Sequence, residues 1–175
     1  MPINKGYLTA KTNKESDEVY TPSYAVKPII KYIKPGSIVW CPFDTVDSAY
    51  VEELNAAGFT VIYSHIDDGY NFFEYEPDEY DVIISNPPFS IKDDILRRLN
   101  ELDKPYAMLM PLPALQGQKR FKYLKGSQAL IFDKRINFFK NKETKEILKE
   151  VPFASIYVCK DFLEKDLIFE KLEVE

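Results

Sequence analysis

A short apolar run that ends in two consecutive prolines constrains the fold of this chain more than any other stretch. Residues 82–84 are Val-Ile-Ile, and polar Asp81 and Ser85 bound them, so the pattern predicts a short buried strand. Residues 86–89, Asn-Pro-Pro-Phe, follow directly. A proline has no N–H and disfavours the α conformation in the residue before it, so residues 86 and 87 are held extended. The Asn86 side chain can therefore point off the strand end, which in an open α/β sheet is the edge that binds ligands.

The bulk properties fit one globular domain. The 175 residues are 45% hydrophobic and 14% aromatic, so we expect a single domain over residues 1–175, with a loose segment at residues 1–17. No apolar run has membrane-spanning length, and residues 1–16 lack the apolar stretch of a signal peptide. Two cysteines, Cys41 and Cys159, and a single histidine, His65, predict reduced thiols, a cytoplasmic location and no metal site.

The net charge of −5 is unevenly distributed along the chain. Residues 1–110 carry 10 basic and 18 acidic side chains, residues 111–150 carry 10 and 4, and residues 151–175 carry 3 and 6. A basic segment in an acidic protein can be a surface that faces phosphates. It can equally be an ordinary solvated face, and charge by itself does not separate the two interpretations.

Apolar runs of strand length alternate with segments of helical periodicity, which predicts an α/β fold. Strands are predicted at residues 37–40, 59–63, 82–84, 106–110, 128–132 and 153–159. Helices are predicted at residues 23–32, 48–57, 91–102 and 118–125, the last with Phe121 and Leu124 inward. The acidic residues 74–81 leave little room for a further strand. The last two strands lack a long crossover, so we expect a mostly parallel sheet with an antiparallel edge strand and helices on both faces.

An Asn-Pro-Pro-Phe sequence after a strand resembles the catalytic motif of the S-adenosylmethionine-dependent N6-adenine methyltransferases. Such a match would arise by chance in roughly 1% or less of chains of this length. The alternative interpretation is a strand that runs into a proline-rich turn, with Phe89 in the core. Three other segments follow the order of the family: Tyr-Thr-Pro at residues 20–22, Pro-Phe at residues 42–43 and Arg-Ile-x-Phe at residues 135–138. The compact layout is most similar to the phage-encoded enzymes, and the resemblance implies a Rossmann-like methyltransferase fold over residues 18–161.

The resemblance also implies where S-adenosylmethionine would bind. The residues implied to contact it are Tyr20, Thr21, Pro22, Pro42, Phe43, Asp44, His65, Asn71 and Phe72. Thr21 would also cap the first helix, with Pro22 at its first position. Asp44 or Asp47 could reach the amino acid part of the cofactor, and Asp47 could instead cap the next helix.

Two parts of this cofactor site depart from the family pattern. Cys41 stands where the family has an acidic residue, and Thr45 and Asp47 stand where it has glycines that let the backbone approach the ligand closely. His65 stands where the family has an acidic residue for the ribose hydroxyls. A histidine can still form a hydrogen bond with a hydroxyl.

The mechanism implied by the resemblance uses no metal and no covalent intermediate. The reactive sulfonium belongs to the cofactor, so the protein mainly orients and polarises. The Asn86 side chain and the Pro87 carbonyl would accept the two N–H groups of adenine N6. Pro88 completes the motif, and Phe89 would stack on the base after the base leaves its helix. The candidate phosphate contacts are Lys119, Arg120, Lys134 and Arg135.

The partner and the activity have alternatives at this stage. DNA is favoured over RNA, and a protein partner could supply specificity, because no segment is long enough for a separate target-recognition domain. One alternative is a degenerate methyltransferase that binds nucleic acid or a protein without transferring methyl groups, since a fold does not guarantee its chemistry. The altered cofactor loop and His65 motivate it. The other is methyl transfer to a different planar amide or amine, in RNA or on a protein glutamine.

Overall fold

The apolar runs assemble into one seven-stranded sheet in the computed structural model, which describes residues 19–148 and 153–174. The strands are β1 (Ile38–Cys41), β2 (Thr60–Tyr63), β3 (Val82–Ser85), β4 (Tyr106–Pro111), β5 (Gln128–Phe132), β6 (Phe139–Asn141), β7 (Glu146–Ile147), β8 (Ser155–Lys160) and β9 (Leu167–Glu170). The helices are α1 (Ser23–Ile30), α2 (Ala49–Ala56) and α3 (Lys92–Leu102). Within the described ranges no helix has the length and apolar character needed to cross a membrane. The segment 1–17 lies outside them.

The sheet has the order β2-β1-β3-β4-β8-β5-β9, and β8 is antiparallel to both of its neighbours while the other pairs are parallel. The prediction of a mostly parallel sheet is therefore confirmed. The antiparallel strand lies inside the sheet and not at its edge, which corrects the expected position. β9 takes the edge instead, because its Leu-Ile-Phe run, too short to be recognised alone, pairs with backbone groups of β5. β6 and β7 form a separate hairpin.

Strand β1 lies between β2 and β3 in the sheet, and this order decides which strand ends are neighbours. Between β2 and β3 the chain forms turns and one short 3-10 segment, Ile66–Asp68, as the acidic stretch predicted. β1 pairs in parallel with both β2 and β3, and Val39 lies opposite Val82. As a result, the chain leaves β1 and β3 at adjacent points of the same sheet edge.

Side chains of the strands alternate between two buried layers, one on each face of the sheet. Val39 and Cys41 of β1 pack in the layer that contains α1 and α2, while Trp40 packs in the layer that contains α3. In β3, Ile84 packs in the layer of α1 and α2, and Ile83 packs in the layer of α3. Full burial of an aliphatic side chain contributes about 1.5–3 kcal/mol, so both layers stabilise the sheet and the strands read as continuous apolar runs. The prediction of helices on both faces is confirmed.

The basic segment after β4 is not the helix that the sequence predicted. Residues 118–125 contain a single 3-10 turn, Phe121–Tyr123, and the Phe121 side chain is 66% exposed instead of inward. Leu124 is partly buried against the layer of α3. An isolated helix of eight residues is marginal in water, and Gly126, at φ 76°, turns the chain into β5.

The Gln128 side chain joins β5 to the turn before β9. Its Oε1 accepts from the N–H groups of Phe162 and Leu163 at 2.9 and 2.8 Å. Its Nε2 donates to the carbonyl oxygens of Leu163 and Lys165 at 2.8 and 3.3 Å. Gln128 is 9% exposed, so little water can replace it at these four contacts.

Gln128→Leu should therefore lower the free energy of unfolding by roughly 2–4 kcal/mol, because it leaves several buried backbone groups unpaired. Urea denaturation followed by circular dichroism measures this change. Gln118→Leu, at an exposed position, is the control and should stay within about 0.5 kcal/mol of the wild type. A small loss for both variants would contradict the role of Gln128.

Candidate active site at the carboxyl ends of the strands

A buried hydrogen bond joins the loop after β1 to the end of β3. The Ser85 hydroxyl donates to the Asp44 carboxylate, and both residues are buried. Because β1 and β3 are parallel neighbours, their carboxyl ends place Asp44 beside the residue that precedes Asn86. Ser85 was not among the predicted site residues.

The Asn86 side chain is held from one side and has an unused acceptor on the other. Its Nδ2 donates to the Thr21 hydroxyl at 3.1 Å, while its Oδ1 is buried and has no hydrogen-bond partner among the described residues. A buried acceptor without a donor costs about 1–3 kcal/mol, which marks Oδ1 as a place where a ligand N–H could bind. The structure thus brings Thr21 and Asn86 together.

Thr21 does not cap the first helix, which corrects one expectation. Pro22 is the residue that precedes α1, and no side chain caps that helix. The Thr21 hydroxyl is instead turned to Asn86. Tyr20 pairs with Phe139 of β6 through two backbone hydrogen bonds of 2.9 Å, so the hairpin lies against the Tyr-Thr-Pro segment.

Phe89 is enclosed by other aromatic rings. It is 5% exposed and packs edge-on against Phe138 and Phe153, with ring centroids 6.4 and 5.2 Å apart. Phe138 belongs to the Arg-Ile-x-Phe segment, whose two apolar residues are buried. Phe89 is therefore enclosed in this structure, as in the alternative of a core residue, and its stacking on the target base stays a prediction. Pro87 is also buried, and Pro88 is half-buried.

The loop after β1 follows a path that needs no glycine. Within it no residue has a positive φ, so Thr45 and Asp47 fit without backbone strain. The Thr45 hydroxyl donates to Asp47 at 2.6 Å, and Lys142 of the hairpin lies 2.5 Å from the other Asp47 oxygen. Lys142 and Thr45 lower the pKa of Asp47 to about 2. Ser48, and not Asp47, caps α2.

Asp44 is a buried carboxylate, 6% exposed, and not an open contact for a ligand. Burial raises its pKa to about 6, although hydrogen bonds from Ser85 and Ser48 and the nearby His65 act in the opposite direction. Perturbed carboxylates of this kind concentrate at functional sites. Its expected contact with the amino acid part of the cofactor is not available in this conformation.

The residues expected around the adenosine part of the cofactor meet beside the loop. Phe72 packs on Phe43, with ring centroids 4.9 Å apart, and Pro42 is buried next to them. Asn71 Oδ1 accepts from the Phe73 N–H at 3.1 Å. His65 Nδ1 accepts from the Asp67 N–H at 3.2 Å, which leaves Nε2 as the donor of the neutral ring.

The chain thus fits the two halves of the cofactor differently. The half-buried Phe43, a histidine donor and an asparagine suit an adenosine, while Phe72 is 4% exposed and packs on Trp40 behind Phe43. At the other half, Asp44 is buried against Ser85 and Asp47 is paired with Lys142, so neither presents a free carboxylate. Among residues 19–148 and 153–174 no group of three His, Cys, Asp or Glu side chains could hold a metal ion.

The four basic residues predicted to contact phosphates have different surroundings. Lys119, Lys134 and Arg135 are exposed. Arg120 has a side chain only 13% exposed, and its Nε lies 2.5 Å from Asp93 Oδ1. Arg120 is paired with Asp93 in this structure, and its contact with a phosphate stays a prediction. Lys142, which no pattern singled out, is the basic residue that reaches the cofactor loop, through a contact between segments distant in sequence.

The fold has a counterpart among solved structures. The chain is similar to the methyltransferase subunit of a type I restriction-modification system from Streptococcus thermophilus, with a TM-score of 0.52 and 13% identity. The likeness covers 87% of this chain and 46% of that chain, so the protein spans less than half of that structure. The fold is the Rossmann-like methyltransferase fold. No family model and no curated protein matches the sequence.

The buried Asp44 should make stability depend on pH. Its folded pKa of about 6 lies above the ordinary value of 3.8, so the folded state binds the extra proton and stability falls as pH rises from 4 to 6. The full effect is about 3 kcal/mol. Asp44→Asn should gain up to that amount relative to the wild type between pH 4 and pH 7, measured by urea denaturation at each pH.

Asp47→Asn is the control, since the lowered pKa of Asp47 has the opposite sign. This variant should be less stable than the wild type above pH 4 and approach it as pH falls towards 2. A difference between Asp44→Asn and the wild type that is constant with pH would contradict the buried ionisable carboxyl.

Proposed function

We propose that this protein transfers the methyl group of S-adenosylmethionine to the exocyclic N6 of adenine in nucleic acid, with DNA as the favoured substrate. The observation that carries the proposal is the Asn86 side chain, whose Oδ1 is buried without a partner while its Nδ2 is engaged by Thr21. An exocyclic –NH2 group supplies the donor that this oxygen lacks.

The chemistry requires orientation of a weak nucleophile. The N6 lone pair of adenine is delocalised into the ring, and it becomes available only when the nitrogen approaches tetrahedral geometry. Asn86 Oδ1 would accept one N–H and the Pro87 carbonyl the other, which aims the lone pair away from both acceptors. Thr21 would act through Asn86, because its hydroxyl accepts from Nδ2 and so helps to hold the amide in place with Oδ1 left for the substrate.

The cofactor would supply an electrophilic methyl group on a sulfonium. The half-buried Phe43 would pack against its adenine, with the buried Phe72 behind it, and the Nε2–H of His65 would donate to a ribose hydroxyl. Asn71 lies next to them and keeps its amide nitrogen as a donor. These residues support binding of an adenosine.

Nucleic acid is supported by the likeness to a restriction-modification methyltransferase subunit and by the basic segment after β4. The layout of motifs is similar to that of phage-encoded enzymes. An adenine that is stacked inside a DNA duplex cannot reach Asn86 at the carboxyl end of β3, so the base would have to leave its stack. Lys119, Lys134 and Arg135, all exposed, are the proposed phosphate contacts.

A second candidate function is a protein of this fold that binds nucleic acid or a protein partner without catalysis. The observation that favours it is the state of the two carboxylates in the loop after β1: Asp44 is buried, and Asp47 is paired with Lys142. Calorimetric titration of the wild type with S-adenosylmethionine separates the two functions. Binding in the micromolar range supports the enzyme, and a folded protein that binds none supports the alternative.

Asn86→Ala should reduce methyl transfer to an adenine-containing DNA by about 100-fold or more, because the acceptor for N6 is lost. The measurement is N6-methyladenine in the digested product, quantified by mass spectrometry. Asn55→Ala, at an exposed asparagine of α2, should retain wild-type activity. Full activity of Asn86→Ala would contradict the role assigned to this side chain.

Thr21→Val should lower kcat by about 3- to 10-fold, since one orienting hydrogen bond to Asn86 is lost. Thr21→Ser keeps the hydroxyl and should recover most of the rate. The KM for S-adenosylmethionine should change little in either variant. A rise in KM with unchanged kcat would instead show that Thr21 binds the cofactor and does not position Asn86.

A further inference from the structure

Phe121 is a large apolar side chain on the surface of a segment that is otherwise well anchored. Its ring is 66% exposed, although the sequence pattern predicted that it points inward. Its N–H donates to the Gly117 carbonyl at 2.9 Å, and its own carbonyl accepts from Leu124 at 3.2 Å. The ring is therefore presented to solvent by a backbone that is hydrogen-bonded on both sides.

Arg120 anchors this segment from beneath. Its Nη1 donates to the carbonyl oxygens of Pro113 and Gln116, each at 3.2 Å, and its Nε pairs with Asp93 near the start of α3. A Cβ placed on Gly117 would lie 2.8 Å from the Arg120 guanidinium carbon, so the backbone there rests directly on the planar group. The buried arginine thus supports the loop that carries the exposed ring.

The surface around Phe121 is basic. Lys119, Lys122 and Lys125 flank it in sequence, and all three are exposed. Residues 111–132 contain four basic side chains and no acidic one, and the fourth, Arg120, is neutralised by Asp93. An aromatic ring among exposed lysines is the combination that single-stranded nucleic acid binds, through stacking and phosphate contacts.

The position of this surface relates it to the candidate site. α3 begins directly after the Asn-Pro-Pro-Phe motif, and Asp93 in its first turn holds Arg120. Further along the same helix, Asn100 Nδ2 donates to the Tyr123 carbonyl at 3.1 Å. The segment with Phe121 therefore lies along α3, tied to it on both sides of the ring, and begins at the sheet edge where Asn86 lies.

We propose that Phe121, with Lys119, Lys122 and Lys125, forms a stacking platform for the DNA base that neighbours the target adenine. The proposal rests on the proposed function, since removal of an adenine from its stack leaves the adjacent bases with an uncovered face. Phe121 stacks on that face, and the lysines contact the phosphates on either side. A rigid ring limits the conformational entropy lost on binding.

The test is the affinity of the full chain for a fluorescently labelled single-stranded DNA, measured by anisotropy at fixed salt. Phe121→Ala should weaken binding by about tenfold or more, which is the scale of one lost base–aromatic stack. Phe121→Trp should bind as tightly as the wild type. Phe121→Leu is the matched control, because it keeps an apolar side chain of similar size but removes the flat ring, and should bind like Phe121→Ala.

Wild-type affinity of Phe121→Ala or of Phe121→Leu would overturn the proposal, and the Leu result would favour an apolar protein partner. Tighter binding of RNA of the same sequence would overturn the assignment to DNA. Thermal denaturation should give the same Tm for all variants, since the ring is exposed. Wild-type protein that shows Phe121-dependent DNA binding but transfers no methyl group to that DNA would refute the proposed function and leave the platform intact.

Discussion

The hydrogen bond from Ser85 to the buried carboxylate of Asp44 is the contact on which the geometry of the site depends. It ties the loop after β1 to the last residue of β3, and Asn86 follows at once. The ionised form of Asp44 lowers the stability of the folded state, because burial raises the pKa of this carboxyl towards neutrality. Ionisable groups that lower the stability of the folded state are concentrated at functional sites of proteins, and Asp44 is such a group.

The loop after β1 forms without the glycines of the family that its sequence resembles. The usual glycines allow positive φ, but here the loop takes negative φ throughout and forms side-chain contacts instead. Lys142 reaches across from the hairpin to Asp47, and Tyr20 pairs with the same hairpin through its backbone. The hairpin therefore packs against both the loop after β1 and the Tyr-Thr-Pro segment, and Lys142 adds a positive charge beside Asp47.

In the basic segment, the burial of Arg120 and Phe121 is the opposite of what their residue types predict. Arg120, a charged residue expected at the surface, is largely buried and supports the loop through Asp93 and two backbone carbonyls. Phe121, an apolar residue expected in the core, is exposed. The planar guanidinium of Arg120 donates to several acceptors at once, so its hydrogen bonds hold the loop where a small cluster of apolar side chains would otherwise be needed. The neighbouring lysines keep the surface positive.

Local patterns in the sequence determined most of the strands, the two helical faces and the position of Asn86, because the strand period, the helix period and the conformations of proline act over a few residues. Tertiary contacts decided the rest. β9 forms only beside β5, and Phe89 is enclosed by Phe138 and Phe153. Burial of Asp44 and the pairs that Asp47 and Arg120 make depend on residues far away in the chain. Such choices follow from packing and from the pairing of buried charge, which no short window of sequence contains.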